Sequence, residues 1–303
     1  VYTCDNEFYY CIDVGSPSDP RILWKLKLPD RGQSVFVQGN TAYLANYGAG
    51  LTTVDNHSRV IKGRYGNALD NYLYNIIING NCAYTLNHRK PYSMQIYDIS
   101  TPNPVLLSDY RYERSTTPFA VSGNYAYIRT DYWNKVKILD VSDPRAPREF
   151  SQIDVLSAFH IKAIGQQLFI LSSYHSDKLY IYDISNPATP VHLSTTEVKA
   201  GSFSKIGNYL HLASDKGHII ILDCSDPRKP RIVNRYNTGD EISGITASGN
   251  YNYINLGDRI QILDVSDPEN PVYKGEYRFT GEYTRVFQMA VYRNYLFAAT
   301  NRG

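Results

Sequence analysis

The chain is poor in the features that mark several large protein classes. No apolar run approaches the eighteen or so residues that a helix needs to cross a bilayer, so membrane insertion by that route is excluded. The four cysteines, Cys4, Cys11, Cys82 and Cys224, show neither the paired spacing of a thiolate zinc site nor the density of a disulfide scaffold. No metal or other cofactor is expected, and whether Cys4 and Cys11 bridge stays open. Surplus charge is absent too: 31 Lys and Arg stand against 29 Asp and Glu, a formal net charge of +2, so no global field collects nucleic acid or anionic lipid. Helix-period segments are lacking as well. From Val1 onward there is neither the charged nor the apolar region of a secretory signal, and the expectation is a soluble, mature fragment.

What the chain does have is tyrosine, 28 among 303 residues, which favours strands because aromatic rings suit a pleated surface. Its length fits two domains or one long all-β domain, and an internal repeat decides for the second. One anchor is an aliphatic-Asp turn: Asp13, Asp55, Asp98, Asp140, Asp183, Asp223 and Asp264, at successive intervals of 42, 43, 42, 43, 40 and 41 residues. A second anchor follows each Asp by about 25 residues: Gly39-Asn40, Gly80-Asn81, Gly123-Asn124, Gly165-Gln166, Gly207-Asn208, Gly249-Asn250 and a degenerate Arg293-Asn294. Gly-Asn between apolar runs signals a tight hairpin. In the Ser-Asp-Pro element, Asp or Ser accepts a backbone bond and Pro presets φ.

In the third unit, Phe119–Ser122, Tyr125–Thr130, Val136–Val141 and Glu149–Asp154 read as four strands separated by turn residues. Four antiparallel strands per unit of about forty residues describe a propeller blade. Seven copies of each anchor predict an all-β, seven-bladed β-propeller in a single domain, 1–303. Its last blade would be closed by the N- and C-terminal strands, about 8–28 plus 285–300: Val286–Val291 and Tyr295–Thr300 inside, Phe8–Val14 and Ile22–Leu28 outside.

The segments Val136-Lys137-Ile138-Leu139-Asp140-Val141-Ser142-Asp143-Pro144-Arg145-Ala146-Pro147 and Ile260-Gln261-Ile262-Leu263-Asp264-Val265-Ser266-Asp267-Pro268-Glu269-Asn270-Pro271 resemble the units of the LVIVD-repeat family. The resemblance covers essentially the whole chain. It departs at Asp55-Asn56-His57-Ser58, which lacks the Pro turn, and at Arg293, which replaces a Gly. The resemblance implies a propeller of the kind common in secreted or surface proteins of bacteria and archaea, and it implies no catalytic motif.

In an antiparallel blade the two regular turns share one end, so the irregular connections share the other, where binding loops on a rigid scaffold are expected. Aromatic and basic residues concentrate in those connections. The candidate contact residues are Tyr47, His88, Arg89, Tyr92, Tyr112, Arg114, Tyr132, Trp133, Tyr174 and His175, since Tyr, Trp and Arg bring large contact area with a polar handle. His88, His175 and His218 occupy corresponding loops with Asp131, Asp177 and Asp215 but are too widely spaced to share a metal. A second group, His160, Glu241 and Arg285, is expected near the mouth of a central channel.

The leading expectation is a non-enzymatic binding or scaffold propeller, extracellular or at a cell surface, that recognises a protein or glycan. One alternative is a propeller hydrolase or lyase with His160 as base and Arg285 stabilising negative charge. The other is a structural subunit of an extracellular assembly, which carries an expectation of self-assembly. Neither nucleic acid nor membrane is an expected partner. Replacing Tyr132, Trp133 and Tyr174 together by Ala is expected to abolish binding of the natural partner in a pull-down; undiminished binding removes the assignment of the irregular loops.

Overall fold

Apolar runs punctuated by Gly-Asn and Asp-bearing turns form strands of four to seven residues in the computed structural model. The described residues are 8–13, 15, 16, 19, 21–66, 72–112, 119–130, 134–172, 177–214, 216–279, 286–292 and 295–300. The chain opens with β1 (Phe8–Asp13) and β2 (Arg21–Lys27). A first blade follows as β3 (Ser34–Gln38), β4 (Thr41–Asn46), β5 (Gly50–Asp55) and β6 (Val60–Tyr65). The second is β7 (Leu73–Asn79), β8 (Cys82–Asn87), β9 (Ser93–Asp98) and β10 (Val105–Arg111). The third is β11 (Phe119–Ser122), β12 (Tyr125–Thr130), β13 (Lys135–Asp140) and β14 (Arg148–Asp154). The fourth is β15 (Ala158–Ile164), β16 (Gln167–Ser172), β17 (Lys178–Asp183) and β18 (Val191–Glu197). The fifth is β19 (Ser202–Ile206), β20 (Tyr209–Ala213), β21 (His218–Asp223) and β22 (Arg231–Asn237). The sixth is β23 (Gly244–Ser248), β24 (Tyr251–Asn255), β25 (Arg259–Asp264) and β26 (Val272–Arg278), and the chain closes with β27 (Val286–Tyr292) and β28 (Tyr295–Thr300).

The count of seven expected from the anchors is therefore corrected: six blades of four consecutive antiparallel strands are present. The strands left over, two from each end, make a sheet of different construction in the order β2-β1-β28-β27, with the two ends meeting at Ile12↔Leu296 and Asp13↔Tyr295. Anchors count turns, and the turn at Asp13 does not stand within a run of four consecutive strands. Its counterpart at Arg293-Asn294 lies outside the described residues. The strand ends themselves fall within a residue or so of those expected, Tyr125–Thr130 and Tyr295–Thr300 coinciding.

The chain divides into two compact units, residues 1–37 with 199–303, and residues 38–198, the division falling inside β3. Within the second, blades three and four close over Tyr127, Val136, Ile138, Ile153, Ile161, Leu168 and Ile170. Blades two and three close over Leu86, Met94, Ile96, Phe119 and Ile128. Within the first, Ile219, Ile221, Ile245, Ile254 and Leu263 join blades five and six. At roughly 1.5–3 kcal/mol for each large aliphatic or aromatic side chain, these sandwiched layers supply most of the stabilisation.

Register fixes which residues share an end. In the third blade Ser122 pairs with Tyr125, Tyr125 with Asp140 and Asp140 with Arg148, so the Gly-Asn and Asp-bearing turns lie together at one end, the turn edge. Thr130, Lys135 and Asp154 align at the other, the loop edge. At the turn edge each anchor Asp folds back on its own backbone: Asp140 accepts from the Ser142 N–H at 2.9 Å, and Asp98, Asp183, Asp223 and Asp264 accept from the same position in their units. The intervening N–H reaches across to the hairpin, Val141 donating to the Asn124 carbonyl at 2.8 Å. The hairpin itself turns through Gly123 at φ 55°, a conformation that glycine adopts without a Cβ penalty. These bonds favour the ionised carboxylate, and the hydrogen bonds from Ser142 and then Arg148 hold the Asp140 pKa at about 2.

The Pro of the turn has a further use that the sequence does not disclose. Outer strands carry a bulge, and in the second, third and fifth blades the residue after it reaches the turn of the next blade. Ser108 Oγ donates to the Pro144 carbonyl at 2.7 Å, Ser151 Oγ to that of Pro187 at 2.5 Å, and Asn234 Nδ2 to that of Glu269 at 2.6 Å. In the first blade this position is Gly63, and Thr53 on the adjacent strand donates to the Pro102 carbonyl instead, at 2.5 Å. A Cβ at Gly63 would stand 2.1 Å from that carbonyl oxygen. Ser151→Ala is expected to cost about 1 kcal/mol by stranding the Pro187 carbonyl, and Gly63→Ala about 2 kcal/mol by overpacking the joint. Urea midpoints measure both; a Ser151→Ala midpoint equal to wild type removes the inter-blade bond as a source of stability.

Candidate functional site

The loop edge of the first two blades gathers aromatic rings for a backbone reason. Asn87, buried at the end of β8, accepts from the Tyr72 N–H at 2.9 Å and from the Arg89 N–H at 3.0 Å with one side-chain oxygen. The His88 N–H donates to the Tyr72 carbonyl at 2.9 Å, and the Leu73 N–H to the Tyr47 carbonyl at 3.1 Å. The end of β4, the approach to β7 and the loop after β8 are thereby tied side by side. Tyr47 takes a φ of 21°, in the region non-glycine residues rarely occupy, to make its contact.

The rings follow the backbone. Tyr47 and Tyr72 stack with centroids 4.3 Å apart and planes within 11°. Tyr74 meets Tyr47 edge-on at 5.9 Å, and His88 stacks on Tyr74 at 4.2 Å. The Arg89 guanidinium lies over Tyr72 at 5.3 Å, so Tyr72 is engaged by both Tyr47 and Arg89. All five side chains remain partly exposed. Stacked rings and a cation over a π face each contribute on the order of 0.5–1.5 kcal/mol, enough to hold the cluster in one arrangement before any partner arrives. Further out, Lys90 lies 6.0 Å from the Tyr92 ring, and Tyr112 donates to the Ser93 carbonyl at 3.0 Å. Burial, with a lesser contribution from Asp109, raises the Tyr112 pKa well above that of an ordinary phenol.

Of the candidates drawn from the sequence, Tyr47, His88 and Arg89 thus stand in one cluster, with Tyr92 and Tyr112 beside it on the second blade. Arg114, Tyr132, Trp133, Tyr174, His175 and Arg285 lie outside the described residues, as does Cys4. Tyr72 and Tyr74 were missed. Their two-residue spacing puts them on one side of a strand, but only the neighbouring blade reveals that Tyr47 packs between them. Glu241 is exposed on the connection between β22 and β23. His160, the third residue of β15, is enclosed: desolvation and then the charge of Lys162 lower its pKa to about 3. Desolvation also lowers Lys162, two residues along the same strand, to about 8. An imidazole with so low a pKa holds a proton poorly near neutrality, which weakens it as a general base.

The loop edge of the sixth blade is charged rather than aromatic. Arg259 contacts Asp240, Asp258 at 3.0 Å and Glu276 at 3.1 Å, while Arg278 contacts Asp258 at 2.6 Å and Glu276 at 3.2 Å. A recess of about 440 Å³ lies instead at a turn edge, lined by Asp140, Ser142, Asp143, Ala146, Pro147 and Arg148, and its main charges pair with each other at 2.8 Å. Among the described residues no three His, Cys, Asp or Glu side chains converge as a metal requires, and no helix is long and apolar enough to cross a membrane.

Five stretches, residues 31–61, 113–155, 174–196, 199–238 and 241–278, match the family profile described as LVIVD repeat, and together they exceed half the chain. Eukaryotic translation initiation factor 3 subunit I of Caenorhabditis elegans is 24% identical over 203 residues, which cover 62% of this chain and 54% of that protein. The chain spans about half the length of that relative. Among solved structures, BamB from Moraxella catarrhalis is similar with a TM-score of 0.65 at 11% identity over 98% of this chain and 95% of that one. A chain of the Mitotic Checkpoint Complex is similar with a TM-score of 0.65 at 11% identity, over 83% of this chain and 77% of that one. Identities this low bear on fold alone.

A second buried imidazole supplies a test of these electrostatics. His211 Nδ1 lies 2.7 Å from Asn252 Nδ2, an amide donor, so Nδ1 is the acceptor and the ring is neutral; Ser204 Oγ completes the group with a 3.3 Å bond to Asn252 Oδ1. Burial lowers the His211 pKa to about 4 from its ordinary 6.5. Between those values the unfolded chain binds the extra proton, so this contribution to stability is full above pH 6.5 and fades as pH falls towards 4. His211→Gln, which cannot ionise, should reduce the pH dependence of the unfolding free energy in that window by up to about 1.4 kcal/mol per pH unit. Urea titrations across the window should show wild type and variant converging on acidification; parallel curves overturn the assignment.

Proposed function

Since the chain belongs to the LVIVD-repeat family, we propose that it is a non-enzymatic recognition module that holds a protein partner on the loop edge of its first two blades. The cluster of Tyr47, Tyr72, Tyr74, His88 and Arg89 carries this reading: five partly exposed side chains of the types that dominate binding energy, fixed in advance by backbone bonds. A protein partner is favoured over a glycan because sugar recognition by tyrosine uses an open ring face, whereas the Tyr72 ring is already stacked on Tyr47 and contacted by Arg89. Names of similar proteins support a role in assembly: one is a subunit of an initiation factor and one a component of a checkpoint complex. Hydrolase or lyase chemistry through His160 finds no support, because its pKa of about 3 leaves it a weak base. An extracellular or cell-surface setting belongs to the same proposal and is supported by the family resemblance.

Immobilised wild-type chain, Tyr72→Ala and, as a turn-edge control, Pro268→Ala should be compared in capture from an extract of the source cells, with bound proteins quantified by mass spectrometry. Truncation of a central anchor typically costs about 2 kcal/mol or more, so Tyr72→Ala should lose the wild-type partner about thirtyfold while Pro268→Ala retains it. Equal capture by all three overturns the loop-edge assignment.

A further inference from the structure

We infer that the turn edge of the third blade is a second docking surface, whose recess takes a basic side chain of an extended protein segment while Phe150 takes an apolar neighbour of that side chain. It stands on residues apart from the loop-edge cluster. The recess, of about 440 Å³, is bounded by Asp140, Asp143 and Arg148 together with Ser142, Ala146 and Pro147. Its charges do not cancel. Arg148 is taken up by Asp140, its Nε and one terminal nitrogen both reaching a single carboxylate oxygen, at 3.1 and 2.8 Å. Asp143 accepts the Arg145 N–H at 2.9 Å, and among the described residues no cation pairs with it. The Arg145 charge serves the second blade instead: hydrogen bonds from Ser100 lower the Asp98 pKa first, and Arg145 lowers it further. The neighbouring turns, 98–104 and 183–190, are described throughout, so the surplus carboxylate belongs to this edge as a whole.

An apolar anchor beside the recess points to a peptide rather than a free ion. Phe150 is the extra residue of the β14 bulge and is 44% exposed, whereas Leu107, Leu193 and Val233, at the same bulge in other blades, are half-buried. Its ring lies 5.3 Å from that of Tyr125. Tyr125 pairs in register with Asp140, and Asp140 with Arg148, so ring and recess adjoin along one row of the sheet. Alternate side chains of an extended segment stand on one side roughly 7 Å apart, so a basic residue and an apolar one two places along can address both features. A cation meeting Asp143 forms charge-assisted hydrogen bonds, about twice as strong as neutral ones. An acidic segment is disfavoured, because the guanidinium it needs is already held by Asp140.

The test is fluorescence anisotropy with the full chain and a fluorescein-labelled Gly-Arg-Gly-Leu-Gly peptide, against the same peptide with Gln for Arg and with Glu for Arg. The Arg peptide should exceed the Gln peptide about tenfold and weaken with added salt. Asp143→Asn should lose about tenfold for the Arg peptide at an unchanged Tm. Asn is at home there, since Asn186 fills the same position in the fourth blade and accepts the Ala188 N–H at 3.2 Å. Phe150→Ala should lose about fivefold. Equal affinity for the Arg and Gln peptides, preference for the Glu peptide, unchanged affinity in either variant, or no binding of the Arg peptide at about 1 mM chain each overturns the docking surface. Tyr72→Ala should bind the Arg peptide as wild type does; a matching loss there overturns the assignment to the third blade.

Discussion

A carboxylate that folds back onto the N–H two residues beyond it is the constraint on which the rest of this chain depends. Asp140 in the third blade, with its counterparts Asp98, Asp183, Asp223 and Asp264, ends a strand by satisfying the backbone that would otherwise continue it. The intervening N–H is thereby aimed at the hairpin carbonyl, and the following Pro carbonyl at the outer strand of the preceding blade. One end of each blade is consumed by its own architecture. At the other end no such bonding pattern dictates sequence.

At that other end the same economy of backbone bonds is put to a different use. The single side-chain oxygen of Asn87 sets two strands' worth of aromatic and basic residues side by side, and the rings then lock one another. A surface arranged in this way loses little conformational entropy on binding, because its side chains are ordered beforehand. The price is chemical range: rings packed on one another have less face to give to a ligand. The sixth blade spends its loop edge on ion pairs instead, so two units built on one repeat differ in surface chemistry.

Much of the architecture was legible in the sequence because it is local. Turn residues and apolar alternation located strand ends such as Tyr125–Thr130 to the residue, and the antiparallel rule placed Asp140 and Ser122 at one end. The count of blades was not, because counting anchors treats the turn at Asp13 like any other; that strands from both ends of the chain would share one sheet was expected and is found. The ring cluster was half legible. Tyr47, His88 and Arg89 announced themselves as loop residues, but the pairing of Tyr47 with Tyr72 joins successive blades, and no local pattern encodes the packing of one sheet on the next. His160 was placed on its strand, but its low pKa comes from surroundings that sequence spacing does not show.

The joints between successive blades run in one direction. In three joints an outer strand supplies the donor and the following turn the acceptor, as from Ser108 to Pro144 and from Ser151 to Pro187, and in the first blade Thr53 on the adjacent strand donates in the same direction. A unit joined in this way on both sides carries half of the joint before it and half of the joint after it, like a link with a hook at one end and an eye at the other. Duplication or deletion of a whole unit leaves all hooks matched to eyes, whereas a break inside a unit leaves one of each unmatched. Such a chain can change its number of repeats by recombination without redesigning a single interface.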